Sequence, residues 1–73
     1  MAQEIVEAPL AGKIIRVHVK PGDKVSEGDL LCTIESLKME NSILAPISGA
    51  IKEVRIAPGQ AIKAGEGMIT IES

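Results

Sequence analysis

The chain has 73 residues, a formal net charge of −2 and no Phe, Tyr or Trp. It is long enough for one small domain, and a domain of this size buries only about 60% of its unfolded surface. With 11 Ile, 5 Val and 5 Leu the core has to be aliphatic, and one Cys and one His leave neither an internal disulfide nor a structural zinc set. Both signs of charge are interspersed and no aromatic is available for base stacking, which argues against a nucleic-acid partner. Apolar runs of only a few residues argue against insertion into a membrane. The beginning Met1-Ala2-Gln3-Glu4 has no signal-peptide pattern, and a lone thiol fits a reducing cytoplasm.

In chain order, runs rich in Ile and Val predict strands at Gln3–Glu7, Lys13–Lys20, Leu30–Glu35, Glu40–Leu44, Ala50–Ala57 and Met68–Glu72. Short extended pieces are expected at Lys24–Val25 and Ala61–Ile62. Pro21-Gly22-Asp23 and Pro58-Gly59-Gln60 read as turns, and turns are the expected use of the glycines generally. Nothing in the pattern supports a long helix.

The sequence is also written twice. Shifted by 37 positions, residues 8–36 lie on 45–73 without a gap, with 12 of 29 positions identical. The shared residues include Ala8-Pro9/Ala45-Pro46, Gly12/Gly49, Pro21-Gly22/Pro58-Gly59 and Thr33-Ile34-Glu35-Ser36/Thr70-Ile71-Glu72-Ser73. Two similar β units predict an all-β fold, two small antiparallel sheets packed as a flattened barrel about an approximate two-fold. Ile14 and Val17 differ in parity, as do Ile51 and Val54, so a bulge is expected at the same place in both copies. Leu30, Cys32 and Ile34 are expected to alternate onto the core face. Cys32 matches Ile69 and reads as a small buried hydrophobe. Extended backwards, the alignment lays Met1–Glu7 on Lys38–Leu44. The termini should then lie at one pole and Lys38 at the other.

What the repeat does not cover is Leu37-Lys38-Met39-Glu40-Asn41-Ser42-Ile43-Leu44. Its start must be a tight hairpin with Leu37-Lys38 or Lys38-Met39 at the tip. Two-residue hairpins favour Asn-Gly or Asp-Gly, because both central residues take positive φ. A tip lacking Gly, with apolar Leu37 and Met39 flanking a lysine, points to recognition rather than to a plain solvated turn.

The run Glu35-Ser36-Leu37-Lys38-Met39-Glu40, bracketed by Ala8-Pro9-Leu10-Ala11-Gly12 and Ala45-Pro46-Ile47-Ser48-Gly49, resembles the biotinyl domain of biotin carboxyl carrier proteins. The likeness runs from about residue 5 to the end. It implies the barrel-sandwich hybrid fold and one biotinyl domain over residues 1–73. It implies biotin in amide linkage on Lys38, with Leu37 and Met39 as flanking recognition residues. The family's usual methionine before the lysine is Leu37 here, a swap of similar volume and apolarity. The gapless repeat leaves no room for the thumb insertion of some carriers, and the Ala/Pro-rich linker that often precedes the domain is missing. The chain reads as a free-standing carrier or an excised domain.

The implied partners are biotin protein ligase, then biotin carboxylase and carboxyltransferase or decarboxylase subunits. The chain itself is expected to be no enzyme: no nucleophile–base pair, metal cluster or phosphate loop is visible. His18 reads as a solvated strand residue. Glu27, Asp29, Glu35 and Glu40 lack a partner set for acid–base work, and Glu40 is a candidate for docking the ligase or carboxylase. Two other readings remain. A lipoyl carrier on the same fold would typically show Asp-Lys-Ala at the tip, and an unmodified interaction module would carry nothing on Lys38.

Overall fold

A computed structural model describes residues 2–73. Eight strands form: β1 (Gln3–Glu7), β2 (Gly12–Val17), β3 (Lys24–Val25), β4 (Leu30–Ser36), β5 (Met39–Leu44), β6 (Gly49–Val54), β7 (Ala61–Ile62) and β8 (Gly67–Glu72). They make two four-stranded antiparallel sheets, ordered β1-β8-β6-β3 and β5-β4-β2-β7. The 37-residue shift carries each strand of one sheet onto its counterpart in the other, so the duplication appears as a two-fold in space. Met1, part of the backward alignment, lies outside the described residues.

Each sheet borrows its edge from the other copy. The two-residue strand β3 pairs with β6, and its twin β7 pairs with β2. Hydrogen bonds repeat the exchange in matched sets: Gly22 N donates to Ile51 O at 2.8 Å, and Gly59 N to Ile14 O at 2.7 Å. Neither half can complete its backbone pairing alone, which ties the copies into one cooperative unit.

Between the sheets lies an aliphatic core in which Ile14, Leu31, Cys32, Ile34, Met68 and Ile71 are fully buried. Each such side chain contributes roughly 1.5–3 kcal/mol of transfer free energy. The expected bulge is present in both copies, as register shifts between Ile14 and Arg16 and between Ile51 and Glu53. It sets Ile15 and Lys52 out of register and returns Val17 and Val54 to the core side.

Three expectations need correction. Strands β2 and β6 stop at Val17 and Val54, not at Lys20 and Ala57. Beyond them the chain leaves the sheet toward the Pro-Gly turns, although Ile56 is still buried. The alternation of Leu30, Cys32 and Ile34 also fails. Leu30 is 39% exposed, while Leu31, Cys32, Thr33 and Ile34 are all buried. A second bulge, between Leu30 and Cys32 against β5, inserts Leu31 and shifts the parity. Finally, Gly12 and Gly49 serve close packing rather than turns. A Cβ on either would stand 2.5 Å from a backbone carbonyl, that of Glu35 or of Glu72.

Candidate functional site

Strands β4 and β5 pair from Leu30↔Leu44 up to Ser36↔Met39, leaving Leu37 and Lys38 as the whole loop. Both take left-handed backbone angles, φ 52° and 65°, as the two-residue connection requires. They are the only non-glycine residues at positive φ among the described residues. Each such residue costs on the order of 1 kcal/mol. A hairpin selected for stability alone would put Asn-Gly here.

The side chains add to that cost. Leu37 is 92% exposed and Met39 66%, with Lys38 exposed between them. Two apolar groups are thus held in water around one amine. Met39 does not pack over the hairpin, so the apolar flank is available to a partner. Just below, Glu35 and Glu40 are directly opposed and both exposed. Like charges in that position are mildly destabilising. Lys13 lies on the other side of Glu35 in the same row. This juxtaposition depends on strand register, which the local sequence did not disclose.

The base of the hairpin is firm. Ile34 and Ile43 are buried, Asn41 Nδ2 donates to Ile34 O at 3.4 Å, and Gly12 brings β2 against the Glu35 carbonyl. A rigid stem with an exposed tip can present one amine to successive partners without unfolding anything.

The remaining candidates take structural places. Cys32 is wholly buried, and burial pushes its thiol up to about 11, so it is protonated and inert at neutral pH. Asp29 closes a turn, its Oδ2 accepting from Ser26 N at 2.8 Å. Glu27 N donates to Ser48 Oγ at 2.9 Å. His18 is exposed on the chain leaving β2 and is not brought near Lys38, since its backbone N–H bonds Leu31 O, at the far end of β4 from the tip.

Comparison with known proteins agrees with this geometry. A family model described as biotin-requiring enzyme matches residues 4–71. The glutaconyl-CoA decarboxylase subunit gamma of Acidaminococcus fermentans is 56% identical over 39 residues, 53% of this chain and 27% of that protein. The human mitochondrial propionyl-CoA carboxylase alpha chain is 46% identical over 39 residues, 53% of this chain and 5% of that protein. The chain therefore spans about a quarter of the first relative and a small fraction of the second.

Among solved structures, the urea carboxylase of Kluyveromyces lactis matches with a TM-score of 0.90 and 25% identity, over 99% of this chain and 6% of that one. A single-chain, multi-domain long-chain acyl-CoA carboxylase matches with a TM-score of 0.88 and 26% identity, over 93% of this chain and 7% of that one. With the all-β sandwich, these matches favour a biotin over a lipoyl carrier. The chain belongs to the family of biotin-requiring enzymes, as a carrier domain similar to those of carboxylases and decarboxylases.

Proposed function

We propose that Lys38 is the point of covalent biotin attachment, and that the modified chain moves a carboxyl group between a biotin carboxylase and a carboxyltransferase or decarboxylase subunit. The observation that carries this reading is the tip itself. It holds an exposed lysine between two exposed apolar residues on a backbone strained at Leu37 and Lys38. The site fits the group: nothing covers the amine, and the stem beneath it is packed.

A lysine amine in water is protonated at neutral pH and does not acylate unaided. A biotin protein ligase would supply the activated acid as biotinyl-adenylate and take the amine proton. The Lys38 Nζ–carbonyl bond then forms as the bond to the phosphate oxygen breaks and AMP leaves. In this reading Leu37 and Met39 give the ligase an apolar grip on either side of Lys38, and Glu40 supports docking from the stem. Biotin, once bound, supplies the ureido ring that holds a carboxyl group in transit. The chain supplies position and reach, with the loss of the lysine charge easing entry into partner sites. Residues 1–73 act as one biotinyl domain in this account. A cytoplasmic setting belongs to it too, consistent with the free Cys32.

The direct test is Lys38→Arg after co-expression with biotin ligase. Labelling is expected to vanish with the fold intact; streptavidin reactivity that persists contradicts the assignment.

A further inference from the structure

The duplication gives almost every position of the hairpin sheet a twin on equivalent backbone, so the two sheets serve as controls for each other. Their outer faces differ sharply at two places. Leu30 and Leu44 are directly opposed on β4 and β5 and are 39% and 51% exposed. Their twins, Gly67 and Glu7, are opposed in the same way on β8 and β1. Where the terminal sheet shows a glycine and a carboxylate, the hairpin sheet shows two leucines to water. The terminal sheet has an exposed apolar side chain of its own, Ile5, whose Cγ2 lies 3.1 Å from where a Cβ on Gly67 would stand, but no such opposed pair, so the fold does not require the pair.

The second difference is charge. Lys13, Arg16 and His18 follow one another along β2 and its exit, all exposed. Their twins are Ala50, Glu53 and Arg55. Counting formal charges with His neutral, Lys13 and Arg16 give +2, whereas Lys52, Glu53 and Arg55 give +1, with Lys52 3.8 Å from Glu72 Oε2. The twin column is also neutralised internally, Arg55 Nε lying 2.8 Å from Glu53 Oε1. Among the described residues neither Lys13 nor Arg16 has a carboxylate within ion-pair distance.

We propose that this face, the Leu30–Leu44 pair bordered by Arg16 and His18, with Lys13 farther up β2 opposite Glu35, is the docking surface for the biotin carboxylase that loads the carrier. The proposal rests on the reading of Lys38 given above. The partner is a protein surface with an apolar contact bordered by carboxylates. Charge sets its orientation. Its acidic border lies beside Arg16 and His18 at the lower end of β2, because Glu35 and Glu40 repel it from the upper part of the hairpin. The same two strands carry the leucines and Lys38, six residues apart along β5, or about 20 Å at strand rise. A partner seated on the leucines therefore grips the stem and leaves the tip free to swing into a reaction site. The contact is small and half polar, as fits a carrier that has to dissociate after each visit.

The test uses the residues the other half already tolerates, Leu44→Glu and Arg16→Glu. Wild type and both variants are biotinylated, checked by intact mass, and offered to a biotin carboxylase in trans with ATP and bicarbonate. Free biotin is the control substrate. Each variant is expected to take biotin from the ligase at the wild-type rate and to raise the KM for the carrier about tenfold. The wild-type KM is expected to rise with salt, and the Arg16→Glu value to depend on salt less. An unchanged KM in both variants overturns the proposal. Slowed ligation with unchanged KM assigns the face to the ligase and overturns it too. Self-association of wild type that Leu44→Glu abolishes, with KM unchanged, assigns it to a second copy. A wild-type chain that accepts no biotin overturns the reading of Lys38 as well, and the intact mass tells that failure apart.

Discussion

Gly12 and Glu35 approach so closely that one added carbon would collide: a Cβ on Gly12 would stand 2.5 Å from the Glu35 carbonyl oxygen and 2.7 Å from Ile34 Cγ2. The obstacle is backbone just below the tip of the hairpin, which cannot yield by a rotamer change. Gly12→Ala is expected to cost about 1–3 kcal/mol. For a domain this small that lowers Tm by roughly 4–8 °C per kcal/mol. Thermal unfolding checks it, and the twin Gly49→Ala should lose a similar amount. Unchanged melting in both would mean that neighbouring strands β2 and β4, and β6 and β8, part more easily than their packing indicates.

The turn should show a trade of stability for recognition. Leu37 sits at φ 52° and is almost wholly exposed, so it contributes strain and no burial. Leu37→Asn suits a left-handed position and is expected to stabilise the fold by about 0.5–1 kcal/mol. The same change removes one apolar flank of Lys38, and ligase labelling should slow. Melting curves and a labelling time course separate the two effects. A variant that is both more stable and labelled as fast would remove Leu37 from recognition.

Cys32 gives a pH dependence with a definite sign. Its thiol is pushed up to about 11 by burial, while an unfolded thiol titrates near roughly 8.5. Below both values folded and unfolded chains carry the same proton and the shift has no effect on the balance. As pH rises from about 8.5 toward 11 the unfolded chain ionises first, and stability falls. Denaturant unfolding across that range should show the decline, and Cys32→Val should lack the part owed to the thiol. Native Cys32 should also resist thiol reagents at pH 7 and react once the chain is unfolded. Rapid labelling of the native protein would contradict its burial.

Much of this could be read from the residues because the chain repeats itself. The parity break between Ile14 and Val17 could have been noise in one copy, but the same break at Ile51 and Val54 made it a bulge, and both bulges are there. The absence of Gly at the tip likewise foretold positive φ at ordinary residues. Leu31 escaped because an inserted residue turns an apparent alternation into a buried run, and only its register against Leu44 and Ile43 reveals the insertion. The ends of β2 and β6 escaped because Val19 and Ile56 still pack against the core after the strand pairing has stopped. The opposition of Glu35 to Glu40, and the exchange of β3 and β7 between sheets, are long-range pairings that local pattern does not encode.

The two-fold makes a prediction about distance. It carries the Ala2–Ser73 pair, joined by a 2.9 Å hydrogen bond, onto the Ser36–Met39 pair below Lys38. No Cα of β4 or β5 comes within 8 Å of one in β1 or β8. The molecule extends 36 Å along its longest axis and 18 and 17 Å across it. Spin labels at Gln3 and Lys38, on a Cys32→Val background, should report a separation comparable to the long axis. A separation comparable to the shorter dimensions would contradict the placement of these sites at opposite poles.

Biotin on Lys38 is what the proposed carrier function requires. Intact mass after co-expression with an active biotin ligase, followed by peptide mapping, tests it most directly. A single biotin adduct, located on Lys38, is expected. An unmodified chain, an adduct with the mass of lipoate, or biotin on any of the other lysines would contradict it.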